Sequence, residues 1–327
     1  MRVSVPLVRR KRVIVFGLLV LVAAATTIAG GAATPIAVKA SSRNEQAPAA
    51  GTDWFAWAKS RHSDTSPYDT WAQHGTDRAF KVNARNTQAY PGGIDGTTLV
   101  YQQIVGIDSS DIKLYDLAQR RHLSLPRGVN TKGWECCATL SGNWLLYTRG
   151  SPETRQLQLI LLRNLVTGEQ RVLDRLRNPR GVLSAGQITG NFVVWSRCNP
   201  HPACRILRYD VIAKTTTALR VPSGKVVYGP SVNSNGTTYY LRSKRGCGKS
   251  VELVKEPLTG GSEVLVAFPQ GRDGDVTYAF TVSTGPPPAP PTKITRVYYD
   301  RVLCRRQTWD IYRVDDFERL PPVRLRH

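Results

Sequence analysis

Short apolar runs that end in an aromatic residue and then turn polar recur six times along this 327-residue chain. The aromatic residues follow one another at gaps of 44, 46, 48, 45 and 59 residues, and they are Trp57, Tyr101, Tyr147, Trp195, Tyr240 and Tyr299. A period in this range is typical of propeller blades or of solenoid repeats. The last gap contains a proline-rich insert, GPPPAPP from Gly285, which cannot join a sheet.

The runs within each unit favour blades. In the second unit Thr98 to Ile104 is followed by DIKLYD from Asp111 and by HLSL from His122, with turn residues between them. Such short β-rich runs predict antiparallel meander strands. The sequence therefore predicts an all-β, six-bladed β-propeller over 53–327, with blades at 53–90, 91–137, 138–185, 186–229, 230–270 and 271–327.

The six repeated aromatic residues could be interpreted as a ligand cage or as core. Because they recur at blade spacing, we expect each to fill the wedge between neighbouring sheets.

The amino terminus has the pattern of a leader segment. Five basic residues lie within the first 12 positions, no charge follows from Val13 to Thr34, and Val38-Lys39-Ala40 offers a small-residue cleavage pattern. This predicts a signal peptide, or alternatively an uncleaved membrane anchor, over 1–40, with a linker at 41–52. The rest of the chain is then extracytoplasmic, either secreted or held to the membrane by one amino-terminal helix.

The exported part is strongly basic. The formal net charge is +21, and removing the six basic residues of 1–40 leaves +15. Such a surface fits an anionic cell-envelope polymer or phospholipid headgroups, with nucleic acid less available outside the cell. The alternative is that the charge keeps a β-rich monomer soluble.

Six cysteines in an exported chain point to disulfides. Cys198 and Cys204 flank one short loop and are predicted to pair locally. Cys247 and Cys304 follow the aromatic residues of the last two units at similar distances, and this predicts a bridge between neighbouring blades.

Two further cysteine interpretations stay open. Cys136 and Cys137 are adjacent, so a bridge between them needs a strained eight-membered ring. Cys198, His201 and Cys204 could offer three ligands to zinc, although a disulfide fits an oxidising compartment better.

No motif predicts catalysis or a cofactor. The chain lacks the G-x-S-x-G nucleophile elbow, and GCGKS at Gly246 lacks the first glycine of a phosphate-binding loop. No metal site is predicted either.

The last unit, VYYDRVLCRRQTWDIYRVD from Val297 to Asp315, resembles the repeat of the TolB-type six-bladed propellers. Weaker copies of its D-I-Y-x-x-D strand are DIKLYD at Asp111 and RILRYD at Arg205. The resemblance implies an exported, non-enzymatic binding scaffold that presents loops to a protein or to an anionic envelope partner. The alternative is an extracytoplasmic propeller enzyme (a lyase, lactonase or glycosidase) acting at the central channel. Paired carboxylates at a channel mouth would favour the enzyme, and small or hydroxyl side chains would favour the scaffold.

Overall fold

The computed structural model describes residues 34–62, 67–150, 157–200, 203–243, 250–268, 282–285, 294–302 and 309–317. Within these ranges the chain forms strands and no helix, so none of it contains a helix that could cross a membrane. The predicted leader up to residue 33 lies outside the described residues.

The strands form six four-stranded sheets, which we call blades one to six. Blade one consists of β2 (Glu45–Ala50), β3 (Trp54–Ser60), β4 (Tyr68–His74) and β5 (Phe80–Lys81). Blade two consists of β6 (Gln88–Asp95), β7 (Thr98–Ile104), β8 (Ser110–Asp116) and β9 (Arg121–Leu123). Blade three consists of β10 (Glu135–Ser141), β11 (Trp144–Arg149), β12 (Gln158–Asn164) and β13 (Gln170–Leu176).

Blade four consists of β14 (Val182–Thr189), β15 (Phe192–Cys198), β16 (Cys204–Asp210) and β17 (Thr215–Ala218). Blade five consists of β18 (Val226–Val232), β19 (Thr238–Ser243), β20 (Val251–Glu256) and β21 (Glu263–Phe268). Blade six consists of β22 (Val282–Gly285), β23 (Ile294–Val302), β24 (Trp309–Phe317) and, from the amino terminus, β1 (Ile36–Lys39).

Blades one to five are antiparallel meanders whose first strand lies innermost, and in blade six β22 is innermost and β1 outermost. The inner strands touch in a closed cycle, in the order β2, β6, β10, β14, β18, β22 and back to β2. The approach is close, since a Cβ added at Gly92 would lie 1.8 Å from the carbonyl oxygen of Ala138 in the next blade. The prediction of an all-β six-bladed propeller is confirmed.

The amino-terminal strand closes the ring. Strand β1 pairs antiparallel with β24, with Ile36 opposite Arg313. The Nζ atom of Lys39 donates a hydrogen bond of 2.6 Å to Gln73 in blade one and lies 4.2 Å from the centroid of the Trp57 ring. The segment therefore supplies the outer strand of blade six and holds it against blade one.

The structure corrects the predicted amino-terminal boundaries. Strand β1 lies in the segment predicted as leader (1–40), and β2 lies in the predicted linker (41–52), so blade one has four strands. Cleavage after Ala40 would remove the closing strand.

The predicted blade boundaries also lie a few residues too far toward the carboxyl terminus. Those at 90/91, 137/138, 185/186 and 229/230 each cut the innermost strand of the next blade. At each of these places the inner strand carries a β-bulge, which contains Gly and Pro in β6 and β18 and one Gly in β14. These residues resemble a turn in sequence, but they bend a continuous strand.

The repeated aromatic residues lie in the second strand of each blade and are at most 3% exposed. Trp195 is typical, because it packs in an apolar cluster that joins blades three and four, with Leu146 and Ile160 from one side and Leu183 from the other. Its Nε1 atom donates a hydrogen bond of 2.9 Å to Asp174 of blade three. The interface between neighbouring blades is thus apolar with a polar edge.

Replacing Trp195 with Ala should lower the free energy of unfolding by about 3 to 5 kcal/mol, because a cavity opens between two blades. Phe317→Ala is the control: this ring is 67% exposed, and its loss should cost less than about 0.5 kcal/mol. Chemical denaturation of both variants measures the difference. Equal stability of the two variants would contradict the packing described for Trp195.

A chain that begins at Ser41 should be less stable than one that begins at Thr34 by about 3 kcal/mol, because several strand hydrogen bonds and the Lys39 contacts are lost. The unpaired edge of β24 should also promote self-association. Thermal unfolding and size-exclusion chromatography of the two chains measure both effects. Unchanged melting and a monomeric peak would show that β1 is dispensable.

Candidate functional site

A cavity of about 720 Å³ lies between the inner strands. Its wall is formed by the first halves of these strands and by residues at the ends of several second strands. We call the end of the ring at which the inner strands begin the mouth end, and the other the far end. The cavity belongs to the mouth end.

The cavity wall is mainly uncharged. It carries hydroxyl groups from Ser184, Ser196 and Ser243, among others, and amides from three glutamines. Among the described lining residues, Asp300 is the one carboxylate and there is no histidine or lysine. The described wall therefore lacks the paired carboxylates that glycoside hydrolysis requires.

Asp300 is placed for a structural role. It is 1% exposed, and its Oδ2 atom accepts a hydrogen bond of 2.9 Å from the backbone amide of Ala47. Ala47 lies at the β2 bulge with a φ of 53°, a conformation that directs its amide away from the regular ladder. The carboxylate thus satisfies a bulged backbone group across the junction of blades six and one.

Gln187 ties three inner strands together at the cavity wall. Its Oε1 atom accepts a short hydrogen bond from Ser231 Oγ and one of 3.1 Å from the Thr284 amide. Its Nε2 atom donates to the Thr284 carbonyl oxygen at 3.1 Å. The side chain thereby connects β14 with β18 and β22.

Tyr90 supplies a hydroxyl group that stays protonated. Burial raises the pKa of Tyr90 to about 12, against a smaller opposite effect of its hydrogen bond from Gln88. That bond is 2.6 Å long, and the ring packs on Tyr68 with centroids 5.4 Å apart. Near neutral pH the Tyr90 phenol is therefore neutral, so it can form hydrogen bonds but does not supply a phenolate base.

The predicted Cys198–Cys204 disulfide is present. It joins the end of β15 to the start of β16, which are the second and third strands of blade four. The bridge removes both thiolates from the alternative zinc site, and the described residues hold no cluster of His, Cys, Asp and Glu suited to a metal ion. Cys247 and Cys304 lie outside the described residues, so their bridge stays a prediction.

Cys136 and Cys137 follow Glu135, the first residue of strand β10, and the structure gives both as free cysteines with Sγ atoms 2.8 Å apart. Cys137 lines the cavity. Their adjacency is visible in the sequence, but their position at the cavity wall is not, because β10 was not recognised as an inner strand.

Charge differs sharply between the two ends of the ring. The described loops of the mouth end hold nine basic residues and one acidic residue, Asp108. The described loops of the far end hold three of each sign. The basic residues of the mouth-end loops are Arg43, Arg61, Arg85, Arg127, Lys132, Arg177, Arg180, Arg220 and Lys225.

Most of these basic side chains are available to a partner. Arg61 pairs with Asp69 at 2.8 Å and Lys225 with Glu252 at 3.4 Å. The other seven are exposed and form no ion pair with any residue that the structure describes. We call these seven side chains the basic rim: Arg43, Arg85, Arg127, Lys132, Arg177, Arg180 and Arg220.

Comparison with known proteins gives no family for this chain. No sequence model of a protein family matches the chain, and no curated protein matches it either. Among solved structures it is similar to an oligogalacturonate lyase in complex with manganese, with a TM-score of 0.49, 12% identity, and coverage of 82% of this chain and 76% of that one.

It is also similar to a prolyl endopeptidase, with a TM-score of 0.49, 15% identity, and coverage of 80% of this chain and 38% of that one. A puromycin-hydrolyzing peptidase of Mycobacterium tuberculosis gives a TM-score of 0.48, 10% identity, and coverage of 87% and 54%. This chain thus spans only part of the length of either peptidase.

Replacing Gln187 with Ala should lower the free energy of unfolding by about 1 to 3 kcal/mol, because Ser231 and Thr284 each lose a hydrogen-bond partner at a buried position. Gln102→Ala is the control, since Gln102 also lines the cavity but forms no side-chain hydrogen bond with the described residues. Urea unfolding of both variants measures the difference. A larger loss for Gln102→Ala would contradict the structural role of Gln187.

Proposed function

We propose that the protein is an exported, non-enzymatic binding module, similar in role to the TolB-type propellers, whose mouth end binds an anionic polymer of the cell envelope. The observation that carries this proposal is the basic rim. Seven exposed cations with no ion-pair partner among the described residues lie in loops at one end of the ring, while the described loops of the far end are balanced in charge.

Arginine dominates the rim, and this favours a polymer that carries carboxylates or phosphates. The guanidinium group binds both of these in a two-bonded geometry that the lysine ammonium cannot copy. Because the rim residues come from several blades, they are spread around the ring, and this arrangement suits an extended chain of charges better than one small anion. Their combined field also accelerates association at low ionic strength.

The cavity chemistry supports binding over catalysis. The described wall offers hydroxyl and amide groups, and its one carboxylate is occupied by the backbone of Ala47. Such groups can hydrogen-bond a neutral part of a polymer, and the described wall places no histidine or lysine beside a nucleophile to act as its general base.

Two observations support a location outside the cytoplasm. The amino-terminal segment has the charge and hydropathy pattern of a leader, and the Cys198–Cys204 disulfide fits an oxidising compartment.

The test compares two triple variants that lose the same net charge from opposite ends. The rim variant is Arg177→Gln, Arg180→Gln and Arg220→Gln; the far-end variant is Arg78→Gln, Arg120→Gln and Lys214→Gln. Binding to alginate and to poly(glycerol phosphate) is measured at low salt, with neutral dextran as the blank. The rim variant should bind about tenfold more weakly than the wild type, and the far-end variant should bind nearly as well.

Equal losses in the two variants would mean that net charge alone drives binding, and the proposal would fail. Binding to anionic lipid vesicles with none to either polymer would indicate a membrane surface as the partner. Shortening of a polymer during incubation would favour the enzyme alternative, in which the cavity acts as a lyase or glycosidase site.

A further inference from the structure

One thiol of the cavity wall, that of Cys137, has a second thiol beside it, that of Cys136. The Sγ atoms of Cys136 and Cys137 are 2.8 Å apart, not far beyond the length of about 2.05 Å of a disulfide bond. The other described cysteines at this cavity, Cys198 and Cys204, are already joined. Within the described part of the chain, Cys137 is therefore the free thiol that lines this cavity, and Cys136 is the free thiol next to it.

Cys137 occupies a place that other blades fill with unreactive residues. It lies at the bulge of β10 across from Tyr147. The inner-strand residues across from the matching aromatic residues are Ala47, Pro91, Ala185 and Gly229. Blade three alone among these five presents a nucleophilic atom to the cavity at this level.

The backbone of Cys137 orients its side chain. The φ of Cys137 is 57°, in the left-handed region. Ala47 and Gly229, at the corresponding bulges of two other blades, have similar φ values of 53° and 59°. A non-glycine residue in this region costs about 1 kcal/mol or more. A cysteine here is unfavourable for stability, and this cost is consistent with a role for the thiol itself.

The surroundings make Cys137 the more reactive thiol of the pair. The hydrogen bond from the Cys136 thiol lowers the pKa of Cys137, helped by hydrogen bonds from Ser184 and Thr148 against the effect of burial. The distance from Ser184 Oγ to Cys137 Sγ is 3.8 Å. The same pairing, together with burial, raises the pKa of Cys136. A single negative charge on the pair therefore resides on Cys137, which lines the cavity.

We propose that Cys136 and Cys137 form a thiol–disulfide exchange site for small organic disulfides that enter the cavity. The Cys137 thiolate attacks one sulfur of the disulfide, forms a mixed disulfide and releases the first thiolate. Cys136 then loses its proton and attacks Cys137 Sγ, which releases the second thiolate and closes the bridge between the two residues. The organic disulfide is reduced to two thiols by two electrons, and the protein dithiol is oxidised by the same two.

The experiment uses the reduced full chain and dithiobis(nitrobenzoate), an aromatic disulfide whose released thiolate is coloured. Peptide mapping by mass spectrometry isolates the segment that carries Cys136 and Cys137 from the other cysteines. The wild-type segment should end as an internal disulfide without a retained adduct, and this pair should account for two of the coloured thiolates released. In Cys136→Ser, one thiolate should be released and Cys137 should keep the adduct, because the resolving thiol is missing.

Cys137→Ala should react at least about tenfold more slowly than Cys136→Ser at the remaining cysteine of the pair. This variant should fold, because Ala47 occupies the corresponding bulge with nearly the same φ, and its melting curve verifies this. Equal rates in the two variants would overturn the proposal. So would a folded wild-type chain whose pair stays unmodified, or one that keeps two adducts without closing the bridge.

Discussion

The backbone pairing of β1 with β24 is the contact on which the rest of the structure depends, because it joins the two ends of the chain into a ring. Each blade is a thin sheet with apolar side chains on both faces, and it can bury them only against two neighbours. The cavity wall is shared among all six blades, and the mouth loops are arranged around it. Both features exist only while the ring stays closed, so Ile36–Lys39 belongs to the folded domain as much as any later strand.

The sequence was sufficient to predict the propeller because the second strands are apolar, β-branched and aromatic, and recur at blade spacing. It was insufficient for the inner strands. Strand β2 reads EQAPAA, with no β-branched or aromatic residue, and it is held extended by burial between other strands. Glycine and proline at the bulges of β6 and β18 resemble turns, so the predicted boundaries fell inside strands that are continuous in the ring.

The site could be predicted less well than the fold, because its parts are separated along the chain. The rim residues stand singly or in pairs in different loops, so no basic run marks them in the sequence. They become one surface only when each inner strand begins at the same end of the ring. The thiol pair was visible as two adjacent letters, but its chemistry depends on the bulge that turns Cys137 toward the cavity and on Ser184 from the next blade.

Amide hydrogen exchange, measured with and without a bound anionic polymer, tests most directly that the mouth end is the binding surface. The account predicts slower exchange in the mouth loops at 124–134, 177–181 and 219–225, and unchanged exchange in the far-end loops at 75–79, 117–120 and 211–214. Protection confined to the far-end loops, or spread evenly over both ends, would contradict it.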